Sequence, residues 1–405
     1  MTHILPLVFL VFIVYVGSVA YPSAFSNIWH FLKGEYDFSY TAGQFELEYN
    51  SMLDFERINL QNKETYINFN GLMARAMGQR GMNNIVKLDN GHLTPLLQGI
   101  DVSVAIRQIS KLNEMQAKNG KVFLFVMAPF QVPENEDIIP PGYIDYSNMN
   151  ADALLEGLAV NGVPVLDLRE EMRKDGLNHS NSFFITDNHW KPETGFWAYT
   201  SIIEYLSENG MSGPIPDKYI DLESYNIDVR ENCFLGNAGK RTGIYYGGLD
   251  DFSVITPKYE TEIHAEIPSI ELDKTGSFDE VMIDWTMLEL DYFILPSMHS
   301  AYSFGPRGFK SYLNEGAPID LKLMAIGDSF SNIPFTFTPL VFKENDRLDM
   351  RHFKGDFKEY HLEFDPDIVV LLINPSAIHT ANAMYDFSGD QGNDAGELPL
   401  DAADE

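Results

Sequence analysis

The chain has a single cysteine, Cys233, so no intramolecular disulfide can form and a cysteine-rich zinc site is excluded. One cysteine is compatible with export. Basic residues are scarce: Lys plus Arg number 28 against 59 for Asp plus Glu, a net charge of −31. Such a surface repels nucleic acid and anionic lipid, and neither is expected as a partner. The 10 histidines are scattered, and no His-Glu-x-x-His string occurs. No metal and no other cofactor is assigned. No internal repeat is evident. What the chain does have is apolar mass, with 45% of its 405 residues hydrophobic and 13% aromatic. That is enough for one large domain or two smaller ones.

The one long hydrophobic run is residues 4–21, uncharged and about the length that crosses a bilayer. It contains Pro6 and Gly17 and ends in Ser18-Val19-Ala20, the small-x-small form of a signal-peptidase site. Residues 1–21 therefore read as a signal peptide or an uncleaved signal anchor. Either places the remainder outside the cytoplasm, secreted or membrane-anchored.

Helical patterns are expected around 44–61 and 66–77, then a hairpin at 85–93 turning at Asn90-Gly91. Residues 103–119 read as an amphipathic helix, with Gly120 just past its end. Residues 121–128 form a continuous apolar run, the mark of a central parallel strand. A helix at 151–160, a strand at 163–166 and a helix at 192–208, stopped by Gly210, continue the rhythm. This βαβα order predicts an α/β doubly wound sheet. Residues 211–320 break it: rich in Gly, Tyr, Asp and Thr, they read as an inserted, partly β lobe. Strands return at 321–326 and 368–373. From residue 386 to 405 the chain is acidic and poor in large apolar residues, and disorder is expected there.

Two strings carry chemistry. One is Asp187-Asn188-His189-Trp190, ahead of the helix that Pro192 opens. The other is Gly327-Asp328-Ser329-Phe330-Ser331, directly after an apolar strand. A serine hydroxyl becomes a nucleophile when a base takes its proton and an acid orients that base. Asp and His at i, i+2 in an extended loop can sit on the same side of the chain. Ser329 is thus the candidate nucleophile, His189 the base and Asp187 its orienter. The bland readings are an N-cap for Ser329 and a capping pair for Asp187 and His189. α/β sheets place ligands just past their strand ends, which favours the catalytic reading.

Gly-Asp-Ser-Phe after a buried strand resembles the nucleophile block of SGNH (GDSL-type) hydrolases. Thr186-Asp187-Asn188-His189-Trp190, with Gly195 and Tyr199 following, resembles the signature of the DHHW family, itself similar to the SGNH-like alginate O-acetyltransferases. Accessory strings fit too: Gly239-Lys240-Arg241-Thr242-Gly243, Asp250-Asp251-Phe252, Asp349-Met350-Arg351 and Asp365-Pro366-Asp367-Ile368-Val369. Asn188 departs from the pattern, at a position the triad does not require. The resemblance implies a flavodoxin-like, three-layer catalytic domain over 22–385, with the insertion at 211–320. It also implies a permuted block order, since typical SGNH enzymes have the serine first and the Asp/His pair last.

The resemblance further implies an extracytoplasmic O-acetyltransferase that modifies cell-surface or secreted polysaccharide through an acyl-Ser329 intermediate. The acyl group would come through a separate membrane-bound acyltransferase. A carbohydrate acetylesterase with the same triad, a lipase-like esterase and a non-catalytic glycan-binding protein are the alternatives. For the oxyanion, the candidates are the backbone N–H of Ser329 together with Asn332, Arg241 and Asn374. Arg241 has a rival reading, a surface ion pair with Asp250 or Asp251. Trp190 reads as packing for the triad loop or as a substrate contact. Tyr245, Tyr246, Phe252 and Trp285 read either as sugar-stacking platforms or as core of the insertion.

Overall fold

The computed structural model describes residues 63–134, 137–289 and 298–387. The apolar run at 4–21, the helix expected at 44–61 and nearly all of the acidic tail lie outside these residues. Among the described residues, no helix is long and apolar enough to cross a membrane.

Thirteen strands are described: β1 (Gly81–Met82), β2 (Ile85–Lys87), β3 (Leu93–Thr94), β4 (Val122–Met127), β5 (Val165–Asp167), β6 (Tyr225–Phe234), β7 (Asp250–Pro257), β8 (Ile263–Ile267), β9 (Leu272–Gly276), β10 (Phe309–Leu313), β11 (Ile319–Gly327), β12 (Phe342–Leu348) and β13 (Ile368–Ile373). Eight of them form the central sheet in the order β5-β4-β13-β11-β12-β10-β8-β9. The first five are parallel, and the last three continue the sheet antiparallel. This is the doubly wound α/β architecture expected, a three-layer sandwich.

The central strands show why. β13 reads Ile-Val-Val-Leu-Leu-Ile, and all six residues are buried. Successive side chains of a strand point to opposite faces. Ile368, Val370 and Leu372 enter one core, while Val369, Leu371 and Ile373 enter the other. β4 alternates likewise, Leu124 and Val126 on the first side, Phe123, Phe125 and Met127 on the second. Each such side chain contributes about 1.5–3 kcal/mol when fully buried. The second core is covered by the helices Ser103–Lys118, Ser147–Val160, Phe357–Phe364 and Ile378–Met384. On Ser103–Lys118 the buried residues are Ala105, Ile109, Leu112 and Gln116, a stripe at helical spacing. The first core is covered by the helix Pro192–Glu208, with Pro192 at its first turn.

Register at the amino edge is fixed by polar contacts. Lys121 Nζ donates to Asp367 Oδ1 at 2.7 Å, and Asp367 Oδ2 accepts from the Lys322 N–H at 3.0 Å. One carboxylate thus ties the starts of β4, β13 and β11.

The partly β segment at 211–320 does two things. β6 and β7 pair as an antiparallel ribbon whose Tyr225, Phe252 and Val254 join the first core. β8, β9 and β10 extend the main sheet beyond β12. Of its aromatics, Tyr246 and Phe252 are buried core residues, whereas Tyr245 and Trp285 are substantially exposed. The sequence reading missed β12 altogether. Its Phe-Lys-Glu-Asn-Asp-Arg-Leu has no apolar alternation, yet Asn345, Asp346 and Arg347 are buried in polar contacts.

Candidate active site

Ser329 stands just past the carboxyl end of β11 and opens the short 3-10 turn Ser329–Ser331. The capping role falls to Asp328, whose carboxylate accepts the Phe330 N–H at 2.8 Å. Ser329 is left half-buried, with Oγ 2.8 Å from His189 Nε2. Gly327 makes the turn possible: a Cβ there would lie 2.6 Å from Ser331 Oγ and 2.8 Å from the Leu372 carbonyl.

Asp187 and His189 come from the loop between the short helix His179–Ser182 and the helix Pro192–Glu208. Asp187 is wholly buried, and its Oδ1 lies 2.5 Å from His189 Nδ1. The same oxygen accepts the His189 backbone N–H at 3.0 Å. Oδ2 accepts the Asn237 backbone N–H at 2.8 Å. Burial alone would push this carboxyl up. The His189 ring beside it and the hydrogen bonds outweigh burial and hold it well below the usual carboxylate range. An ionised Asp187 fixes the proton on His189 Nδ1, so Nε2 is the acceptor that faces Ser329.

The loop is pinned from a distance. Asp250 accepts from the Ile185 N–H at 2.7 Å, the Thr186 N–H at 2.8 Å and the Thr186 hydroxyl at 2.6 Å. The Gln131 amide donates to the carbonyls of Phe184 and Asp187 at 2.7 and 3.0 Å. Gly236 passes so close that a Cβ there would lie 2.2 Å from Asp187 Cβ. The imidazole of His189 is flanked by two rings, His299 at 3.9 Å between centroids and Phe330 at 4.7 Å. His299, on the 3-10 turn Met298–Ala301, is buried, and its Nδ1 has no hydrogen-bond partner. Burial first, and then the neighbouring His189, push its pKa well down, so it is a neutral ring at neutral pH.

The structure therefore brings Ser329, His189 and Asp187 together in one relay. Asn374 lies at the end of β13, its Nδ2 donating to Asp328 Oδ2 at 2.9 Å while its Oδ1 accepts from the Ser376 N–H and hydroxyl. One of its amide N–H groups thus holds the turn. Arg241 is exposed and donates to the Asn83 carbonyl at 2.6 Å; Asp250 and Asp251 hold backbone N–H groups instead. Asn332 is buried, with Oδ1 accepting from Arg347 at 3.2 Å and Nδ2 without a partner. Trp190 is buried against Phe330, ring centroids 5.4 Å apart.

Burial also raises the Asp328 carboxyl to about 6, with Arg351 working against the rise. Asp187, His189 and His299 bring donor atoms within 4.8 Å of one another. A zinc ion needs about 2 Å to each ligand atom. The facing atoms of Asp187 and His189 already share a hydrogen bond at 2.5 Å, which leaves no gap for an ion between them.

Sequence reasoning missed Asn237, Gln131 and His299. Asn237 acts through its backbone, which no side-chain pattern reports. Gln131 and His299 are isolated polar residues whose partners lie far along the chain.

The sequence matches no family model and no curated protein. Comparison with solved structures does find relatives in fold. Bacillus cereus PatB1 bearing a sulfonyl adduct superposes with TM-score 0.60 at 17% identity, over 74% of this chain and 96% of that one. PatB1 without the adduct gives TM-score 0.60 at 18% identity, over 73% and 96%. A DHHW family protein from Eubacterium siraeum gives TM-score 0.53 at 17% identity, over 73% and 91%. At these identities the likeness establishes a shared fold, and the fold expected from the two strings is the fold observed.

Proposed function

We propose that this protein is an extracytoplasmic O-acetyltransferase that modifies cell-surface or secreted polysaccharide by way of an acyl-Ser329 intermediate. The observation that carries the reading is the Ser329–His189–Asp187 hydrogen-bonded chain, with a half-buried serine at one end and a buried carboxylate at the other. Ser329 Oγ attacks the acyl carbonyl while His189 Nε2 takes its proton. The tetrahedral oxyanion collapses, and the leaving group departs with that proton. In the second half a sugar hydroxyl attacks the acyl-serine carbonyl, giving its proton to His189, which returns it to Ser329 Oγ as the acyl–serine bond breaks.

Among the oxyanion candidates, Asn332 is favoured, because its buried Nδ2 has no partner while the amide of Asn374 and the guanidinium of Arg241 are engaged elsewhere. An unsatisfied buried donor costs about 1–3 kcal/mol, a cost compensated if it binds a developing charge. The acyl group would be supplied across the membrane by a separate acyltransferase. Hydrolysis by the same triad is the second reading: water in place of the sugar gives a carbohydrate acetylesterase.

PatB1 with its sulfonyl adduct supplies the test. Phenylmethylsulfonyl fluoride should label the wild-type chain once, on Ser329, and abolish turnover of p-nitrophenyl acetate. Ser329→Ala should escape labelling and lose several orders of magnitude in rate. Retention of most of the rate in a folded Ser329→Ala variant would sink the triad assignment. With an acetyl donor and candidate glycans, mass spectrometry then separates acetylated sugar from free acetate; acetate alone, with efficient stripping of acetylated glycan, would replace transferase by esterase.

A further inference from the structure

The small sheet at the start of the described chain forms one wall of a second site. Asn83 and Asn84, both left-handed at φ 51° and 59°, make the tight turn between β1 and β2. Asparagine tolerates this region, and two such residues in succession suit a two-residue hairpin. Opposite the turn runs the segment carrying Tyr143 and Tyr146. Between them lies an open groove of about 810 Å³, inside the range of about 300–1,000 Å³ typical of ligand sites.

Its composition is the informative part. Acidic residues outnumber basic ones two to one in this chain, yet no charged side chain lines the groove among the described residues. Instead it presents the carboxamides of Gln79, Asn83, Asn84 and Gln98 and the rings of Tyr143 and Tyr146. Tyr143 is substantially exposed, and it lies across β1 where Gly81 leaves room: a Cβ at Gly81 would sit 2.2 Å from the Tyr143 hydroxyl oxygen. A carboxamide offers donors and an acceptor together, which suits vicinal hydroxyls. A tyrosine ring offers a flat apolar face with a polar tip. Among the lining side chains an anionic ligand finds no cation; the nearest charge, Arg241 at the rim, is hydrogen-bonded to the Asn83 carbonyl.

The groove is wired to the relay. Asn83 Nδ2 donates to the Arg241 carbonyl at 2.7 Å, and Arg241 returns the bond to the Asn83 carbonyl. Arg241 lies on the six-residue helix Asn237–Thr242, whose first N–H holds Asp187 Oδ2. At 1.5 Å per residue, the groove rim and the triad carboxylate stand at opposite ends of a helix about 9 Å long. We propose that this groove binds a neutral, hydroxyl-rich glycan chain and holds it while a neighbouring sugar reaches Ser329. The proposal deepens the acceptor reading above and rests on it for its purpose, though not for the binding itself.

Isothermal titration of the Ser329→Ala chain with neutral oligosaccharides (β-glucan, mannan and chitin series) and with a polyuronate of equal length tests this without chemistry. At least one neutral series should bind, and the polyuronate should not. Tyr143→Ala should weaken that binding about tenfold, a loss of one well-stacked ring. In the wild-type background Tyr143→Ala should raise KM for the glycan acceptor and leave p-nitrophenyl acetate turnover unchanged. Gly81→Ala, which displaces Tyr143, should reproduce the effect. Equal binding of polyuronate, no binding by any neutral series, or binding indifferent to Tyr143 would each overturn the proposal. Glycan binding by a wild-type chain that lacks esterase and transferase activity would instead overturn the catalytic reading and leave the groove standing.

Discussion

Replacing Gly236 by alanine should cripple the relay without replacing any of its three members. Gly236 has φ −71° and ψ −179°, a backbone conformation open to any residue, so strain plays no part. The new methyl would lie 2.2 Å from Asp187 Cβ, 2.5 Å from Asp187 Oδ2 and 2.6 Å from the Thr186 carbonyl oxygen. Non-bonded carbons settle at about 3.5–4.0 Å, so the two chains must part by more than about 1 Å. Thr186 is pinned by Asp250, and Gly239 donates to its carbonyl at 2.8 Å. The movement therefore falls on Asp187 and on its bond from Asn237. A 1 Å misplacement costs about 10²-fold in rate, and complete loss of the orienting carboxylate about 10⁴-fold, which bounds the expected fall in kcat. Overpacking of this kind costs about 1–3 kcal/mol of stability, so the variant should remain folded with a lower melting temperature. Gly316→Ala is the control, since its methyl would meet only Asn314 Oδ1 at an ordinary 3.4 Å. The assay is p-nitrophenyl acetate turnover beside a thermal melt. A Gly236→Ala variant with kcat within about threefold of wild type would refute the claim that Asp187 must stay where this loop puts it.

Two further outcomes follow from the same structure. His299→Phe keeps a ring against His189 and should retain most activity, whereas His299→Ala opens a cavity beside the base and should cost about 10²-fold in kcat; equal losses in both would show that the imidazole itself is needed. Asp346 is buried, and burial raises its carboxyl from 3.8 to about 6. A carboxyl raised on folding stabilises the native state fully below its unfolded value and loses that contribution as pH rises through the folded one. Asp346→Asn should therefore flatten the decline in stability between about pH 4 and 6 and gain up to about 3 kcal/mol at pH 8, read by urea denaturation; an unchanged slope would show that Asp346 is ionised at little cost.

Legibility in the sequence tracked chemistry that is local. β4, β11 and β13 announced themselves because both of their faces are buried, which turns a strand into an unbroken apolar run. Asp187 and His189 were legible because they interact with each other two residues apart. β12 was not, since its buried Asp346 and Arg347 bond to Tyr360 and Asn332, partners that a pattern of apolar residues cannot reveal. The same holds for the support of the triad loop. Asp250 acts across 64 residues and Asn237 across 50, the latter through a backbone N–H that every residue but proline possesses. Arg241, singled out for the oxyanion, binds a carbonyl 158 residues away.

The sheet's order has a consequence for how the chain is made. β4 lies between β5 and β13, and Lys121 meets Asp367 across a separation of 246 residues. During synthesis β4 and β5 can pair early, but the other edge of β4 waits for β13. At about 5–20 residues per second that wait is roughly 12–50 s. Through it, the most apolar strand of the first half presents an open row of backbone donors and acceptors to any other extended chain. Ser329 and His189 meet only after β11 has entered the sheet, so this hydrogen-bonded pair is assembled late, and a truncated product of the first 300 residues carries a sticky edge and lacks Ser329.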